Sequence, residues 1–195
     1  LELYADVPQL CPHIHLPLQS GSDRILELMN RNYRTKRYLE IVDSLTERCP
    51  EIAITSDFIV GFPTETDEEF EMTLDMMRKV NYHASYSFKY SIRPNTVAKN
   101  EFSAEEEIAE KVAKERLKKL QALQEELSTT HNKDLIGKTV EVLVEAASTN
   151  KEDLMRGRIP QNTLVEVEGE KLDPGTFAKV QIEHAGPHGV RGRLV

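Results

Sequence analysis

The apolar pattern of this chain changes period at Gly137, and that change limits the folds open to it. Before Gly137, short apolar runs alternate with segments whose apolar residues recur every three or four positions. After it, five short alternating runs occupy about 59 residues, with turn residues between some of them. Strands separated by helices pair in parallel within an α/β layer, whereas closely spaced short strands close into a small barrel. The expected division is therefore 1–136 as an α/β part with a long helix, and 137–195 as an all-β module of the OB type.

In the first part, His13 to Leu18 reads as a strand, and Ser22 as the cap of a helix with Ile25, Leu28 and Met29 on one face. Thr35 is placed to cap a second helix carrying Tyr38, Leu39, Val42 and Leu45. Ile52 to Gly61 reads as a buried strand, and Thr66-Asp67-Glu68-Glu69 as a capping box opening a helix with Phe70, Leu74 and Met77. His83 to Ser91 is the third strand, ended by a loop with Pro94 and Asn95. A second capping box, Ser103-Ala104-Glu105-Glu106, is expected to start a helix to about Leu135, with Ile108, Val112, Leu117, Leu120, Leu123 and Leu127 along one side. Three strands are too few to close a barrel and leave unpaired edges, so edge-to-edge self-association is expected. In the tail the expected strands are Thr139–Glu145, Leu154–Ile159, Leu164–Val167, Phe177–Glu183 and Val190–Val195.

Charge narrows the function. The chain carries 25 basic and 33 acidic residues, a net charge of −8, which excludes coating nucleic acid by bulk charge. Residues 1–136 hold 17 basic and 24 acidic side chains, and 137–195 hold 8 and 9, so the tail repels phosphate less. No 18-residue apolar run and no leader pattern occur, so no membrane partner is expected and the cytoplasm is the default location. Leu1 in place of Met reads as truncation. Cys11 and Cys49, 38 positions apart, match no disulfide framework or cluster motif and are read as ordinary thiols, buried or half-buried. His184 and His188 lack the partners a metal site would need.

The turns after the strands are where ligand chemistry would gather, because parallel α/β folds collect ligands at the carboxyl ends of their strands. Gln19-Ser20-Gly21-Ser22 links a strand to a helix N-terminus, where small side chains and free N–H groups can meet a polar ligand. Gly61-Phe62-Pro63-Thr64 does the same after the second strand, and Tyr90-Ser91 ends the third. Each turn taken alone is equally a plain capping turn.

Taken together, His13 to Asp23, Asp57 to Thr66 and Tyr90 to Thr96 resemble successive blocks of the radical S-adenosylmethionine (SAM) methylthiotransferases. Residues 137–195, with Asn162 after Gly157-Arg158, resemble the RNA-binding TRAM module that ends those enzymes. The resemblance implies a partial TIM-type barrel, SAM and two [4Fe–4S] clusters in the full-length enzyme, and methylthiolation of N6-isopentenyladenosine at position 37 in the tRNA anticodon arm. It also implies that Gln19 and Ser20 lie toward the ribose and amino-acid end of SAM. Ile59 and Gly61 would lie against adenine, with Tyr90 and Ser91 on the next strand end. The family's C-x-x-x-C-x-x-C triplet is absent here, so no catalytic residue is assigned and this fragment is expected to bind no cluster and to be inactive.

In the tail, Arg156-Gly157-Arg158 and Arg191-Gly192-Arg193 repeat one pattern on two expected strands. Alternation puts both arginines of each pair on one face, where they are candidates for RNA contact. The rival readings are a non-catalytic RNA-binding module, and a relative acting on threonylcarbamoyladenosine in tRNA or on a ribosomal protein.

Overall fold

The computed structural model describes residues 3–92, 102–103, 107–147 and 154–195. The expected breaks at Pro94 and Asn95 and the capping residues Ala104–Glu106 lie outside the described residues. The chain divides into two compact units, one of His15–Glu47 and Ile54–Gln124, the other of Leu1–Ile14, Arg48–Ala53 and Glu125–Val195. No helix among the described residues is long and apolar enough to cross a membrane.

Three strands, β1 (His13–His15), β2 (Ala53–Val60) and β3 (Ala84–Lys89), form a sheet in the order β1-β2-β3. β2 and β3 run parallel, with Thr55 opposite Ala84 through to Val60 opposite Lys89. β1 is shorter than the apolar run His13–Leu18 suggested. Pro17 has no N–H to give to a ladder, and the Leu18 N–H turns instead to the Ser56 hydroxyl at 2.9 Å. The chain regains the sheet only at Gln19, in an isolated parallel bridge to Phe58.

The two faces of this sheet differ. On β2, Ser56, Phe58 and Val60 are fully buried, while on β3 Tyr86 and Phe88 remain 64% and 54% exposed. Right-handed crossovers put the connecting helices on one face of a parallel sheet, which leaves the other open. Those helices are α2 (Asp23–Leu28), α3 (Thr35–Arg48) and α4 (Asp67–Val80), after a four-residue helix α1 (Leu3–Asp6) that no sequence pattern announced. Ser22 caps α2 by accepting the Ile25 N–H, and Thr66 with Glu69 forms the expected capping box on α4. Thr35 is the first helical residue of α3 and not its cap, and its N–H is taken by the Asp23 carboxylate at 2.7 Å. Tyr38 of α3 and Tyr82 share a buried hydroxyl pair at 2.8 Å. Burial pushes the Tyr38 phenol up to about 12.

The long helix α5 runs Glu110–Lys133, so it starts later than the Ser103 capping box suggested. Its deepest positions also differ from the expected leucine stripe. Ala113, Arg116, Leu120 and Gln124 are buried, with Ser128 and Asn132 continuing the same spacing. Val112, Leu117, Leu123 and Leu127 flank that line half-buried. Arg116 and Gln124 occupy it because each finds a partner inside. Arg116 meets Glu65, and the Gln124 amide donates to the Tyr82 carbonyl at 3.0 Å.

The tail is a closed five-stranded barrel. Its strands are β4 (Thr139–Ala147), β5 (Leu154–Arg158), β6 (Leu164–Glu168), β7 (Phe177–Gly186) and β8 (Gly189–Leu194), in the order β4-β5-β6-β8-β7. Val142, Val144, Val165, Val167, Val180 and Ile182 fill the interior. The glycines of the two R-G-R runs are required by strand closeness. A Cβ on Gly157 would stand 2.3 Å from the Leu143 carbonyl oxygen, and one on Gly192 would stand 2.1 Å from that of Gln181. Alanine at either position should therefore lower barrel stability by roughly 1–3 kcal/mol, the usual range for overpacking. Gly186→Ala, where the added carbon meets nothing within 4 Å, serves as the control. Thermal melts of the three variants check this, and equal melting temperatures for all three would contradict it.

Candidate functional site

The carboxyl ends of β2 and β3, and the Gln19 turn beside them, form the candidate rim. The Gln19 N–H donates to the Asp57 carbonyl at 2.9 Å, and the Ile59 N–H to the Gln19 carbonyl at 2.9 Å, so Gln19 is fixed against β2 through its backbone. It takes a positive φ of 71° there. Ser20 is fully buried and its hydroxyl accepts the Ser22 N–H at 3.2 Å. Gly21 has no room for a side chain, since a Cβ would lie 2.3 Å from the Met72 carbonyl oxygen of α4.

Glu69 ties this turn to the next one. Its Oε1 accepts from the Ser22 hydroxyl at 2.8 Å and from Arg24 Nε at 2.8 Å, while Oε2 accepts from Arg24 Nη2 at 2.6 Å and the Thr66 N–H at 2.9 Å. Arg24 also donates to the Thr64 hydroxyl and carbonyl at 3.0 and 2.8 Å. One carboxylate thus holds the Gln19–Ser22 turn, the Thr64–Thr66 turn and the start of α4. The Arg24 hydrogen bonds hold the Glu69 carboxyl at about 2, well below the ordinary range. Sequence reasoning assigned Glu69 only to its capping box. The arginine partner lies 45 positions away, beyond any local pattern.

The Gly61 turn has its own clamp. The Gly61 N–H donates to Glu65 Oε2 at 2.8 Å, and Arg116 donates to the same oxygen at 2.7 Å and to the Glu65 carbonyl at 3.1 Å. A second Arg116 nitrogen reaches Asp67 at 2.7 Å. Burial pushes the Glu65 carboxyl up, against the Gly61 N–H and Arg116, which favour its charge. Gly61 has a φ of 72°, and a Cβ there would meet the Ala113 side chain at 2.8 Å, so the turn both needs and tolerates only glycine.

Beside Gly61 lies a cavity of about 360 Å³, lined by Lys89, Tyr90, Ile92, Glu107 and Ala113 among others. Gly61 and Tyr90 are thus brought together. Ile59 is half-buried and Ser91 exposed on the neighbouring strand ends. Phe62 sits edge-on to Tyr90 with ring centres 4.8 Å apart. Lys89 pairs with Glu110 at 2.8 Å at the mouth, and the lysines around Glu110, Lys89 first, hold its carboxyl at about 2. Arg93 to Thr96 of the third block lie outside the described residues.

The cysteines form no centre. Cys49 is buried, and burial pushes its thiol up, but Cys11 is exposed, contrary to the expectation that both would be covered. Cys11 lies in the loop before β1, where no apolar neighbour is required. Among the described residues no three histidine, cysteine or acidic side chains gather as a metal site. An iron–sulfur cluster needs three or four thiolates, and the residues of this chain do not fit one.

On the barrel, Arg156 and Arg158 share the outer face of β5, and Arg191 and Arg193 that of β8. The face is not simply basic. Arg158 lies 3.4 Å from Glu145, Arg191 3.4 Å from Glu168, and Arg193 2.9 Å from Glu183. Arg156 stands opposite Glu166, which in turn stands opposite Arg191. Strand alternation placed the arginines together but could not reveal that neighbouring strands interleave them with glutamates.

With this geometry in place, the comparisons with known proteins are specific. Residues 1–77 match the Radical SAM superfamily and residues 133–195 the TRAM domain. A solved relative in fold is coproporphyrinogen III oxidase from Escherichia coli, a radical SAM enzyme, with a TM-score of 0.52 and 13% identity over 82% of this chain and 41% of that one. The class this chain resembles is therefore a radical SAM segment, matched over residues 1–77, followed by a TRAM domain, matched over residues 133–195.

Within that class, the chain is similar from end to end to radical SAM methylthiotransferases. It is 44% identical, over 100% of its length and 42% of the relative's, to the tRNA-2-methylthio-N(6)-dimethylallyladenosine synthase of Desulfotalea psychrophila. Proteins of the same name from Thermobifida fusca and Corynebacterium glutamicum are 43% and 40% identical over 94% and 96% of the chain, and 38% and 37% of their own lengths. The chain thus spans about two fifths of the curated relatives it matches.

The Glu69 lock predicts a definite pH response. Its folded value of about 2 lies below the ordinary 4.5, so its stabilisation is complete above that ordinary value and is lost as pH falls through the folded one. Replacing Arg24 by methionine should reduce stability at neutral pH and flatten the fall between those two pH values. Urea unfolding at neutral and acid pH reads both effects, and an unchanged pH dependence would contradict the assignment.

Proposed function

We propose that this chain is part of a tRNA-modifying radical SAM enzyme, one that methylthiolates C2 of N6-isopentenyladenosine at position 37. The observation that carries this reading is the 44% identity extending over the whole chain, through both the strand-end turns and the barrel. In the complete enzyme, residues 1–136 would be the later strands of a partial TIM-type barrel and 137–195 the RNA-binding module.

SAM would sit at the strand-end rim. Gly61 and Tyr90 line the cavity, and Gln19, Ser20, Ile59 and Ser91 would approach SAM from the neighbouring turn and strand ends. When bound with a reduced cluster, SAM supplies the radical and methyl chemistry of the class. The residues of this chain bind and orient. The Glu65–Arg116 clamp fixes the Gly61 turn, and the Glu69–Arg24 lock fixes the Gln19 turn. Cluster thiolates must come from sequence other than Cys11 and Cys49, so the chain by itself would be inactive.

The TRAM barrel would hold the tRNA anticodon arm. Because Arg158, Arg191 and Arg193 already form ion pairs with glutamates, their pull on phosphate is partly offset, and Arg156, which stands opposite Glu166 without an ion pair among the described residues, should contribute most. The test is a salt titration of anticodon-arm binding by the chain and by each arginine-to-alanine variant. Arg156→Ala should weaken binding to all sequences alike and reduce the slope of log K against log salt by about 0.7, one phosphate contact to single-stranded RNA. Absence of any salt-sensitive RNA binding by the unsubstituted chain would sink the reading.

A further inference from the structure

The outer surface of the barrel carries an aromatic side chain that its core does not use. Phe177 opens β7 and is 65% exposed, while Ala178, Val180 and Ile182 on the same strand point inward and are buried. The interior is already filled by residues from all five strands, so Phe177 contributes no packing that closure requires. One isolated exposed apolar residue would need no explanation. This one has aligned neighbours.

Phe177 stands opposite Leu143 of β4, and Leu143 stands opposite Arg158 of β5. Across three adjacent strands the outer surface therefore reads aromatic, aliphatic, cationic. Two residues along β7, and on the same face, is Lys179, which is exposed and forms no ion pair among the described residues. That contrasts with the R-G-R arginines, three of which are held by glutamates. Lys179 stands opposite Glu141 on β4, so the surface is mixed in charge and not a broad basic patch.

We propose that the outer face of β7 and β4 is a single-stranded RNA contact surface, with a base stacked on Phe177 and the phosphate backbone met by Lys179. This deepens the RNA-binding reading above and rests on it. The chemistry fits that partner. An exposed ring two strands from Arg158, with Lys179 two residues along its own strand, offers a flat stacking surface beside positive charge, and stacking tolerates any base. A chain of net charge −8 needs such local contacts, since its overall field repels phosphate.

The experiment measures binding of the whole chain to a tRNA anticodon-arm RNA, with Phe177→Ala, Phe177→Tyr, Phe177→Leu and Lys179→Ala. Loss of one stacked base should weaken binding roughly ten-fold in Phe177→Ala with the salt slope unchanged. Tyrosine should restore affinity and leucine should not. Lys179→Ala should weaken binding and reduce the salt slope by about 0.7. If the chain binds RNA and neither Phe177→Ala nor Lys179→Ala changes affinity, this surface is overturned while the RNA reading survives. Full affinity with leucine would overturn stacking. If Phe177→Ala instead abolishes self-association seen by light scattering and leaves RNA affinity intact, the surface belongs to a second copy, and the proposal is overturned in that way. No RNA binding by the unsubstituted chain would remove both readings together.

Discussion

Everything at the strand-end rim depends on where the Glu69 carboxylate is spent. Both of its oxygens are engaged, by the Ser22 hydroxyl and the forked Arg24 from one stretch of chain and by the helix-capping Thr66 amide from another. Charge-assisted contacts of this kind are stronger than neutral ones, and a half-broken network in a covered site costs more than any one contact is worth. The turn after β1 and the turn after β2 therefore stand or fall together. Glu65 repeats the arrangement one turn earlier, where it joins the Gly61 amide to Arg116 of α5. In each case an acidic residue near the start of α4 fixes a glycine- or serine-rich turn at the strand-end rim.

The barrel solves a different problem with the same sequence economy. Its strands approach so closely at Gly157 and Gly192 that only glycine fits, and this fixes the flanking arginines on the outside. A pattern that looks like an RNA-binding signature is in part a closure requirement. What the arginines then do is decided by their cross-strand neighbours. Glu145, Glu168 and Glu183 moderate three of them and shift attention to Arg156, Lys179 and Phe177.

Much of this was legible in the sequence, for identifiable reasons. The Ser22 cap, the Thr66–Glu69 capping box and the five tail strands follow from short-range chemistry that a few adjacent residues carry. Parallel pairing of β2 with β3 follows from the helix between them. Misreadings came where a distant residue decides. Pro17 cut β1 short because Leu18 found the Ser56 hydroxyl. The buried line of α5 runs through Arg116 and Gln124, which no apolar periodicity marks, because Glu65 and Tyr82 wait for them. Cys11, in the loop before β1, is exposed against the usual burial of free cysteine. Of the candidate site residues, Gly61 and Tyr90 meet at one cavity, whereas the Ser20 hydroxyl is occupied by its own turn.

The most direct measurement of the central claim is amide hydrogen exchange on Glu69→Gln, which removes the charge but keeps the shape. If one carboxylate couples the two turns, the amides of Gly21, Ile25 and Thr66 should lose protection together. Those of Val142 and Val165 inside the barrel serve as the internal reference and should stay unchanged. Loss confined to Thr66 and its capping neighbours, with Gly21 and Ile25 as protected as before, would contradict the account.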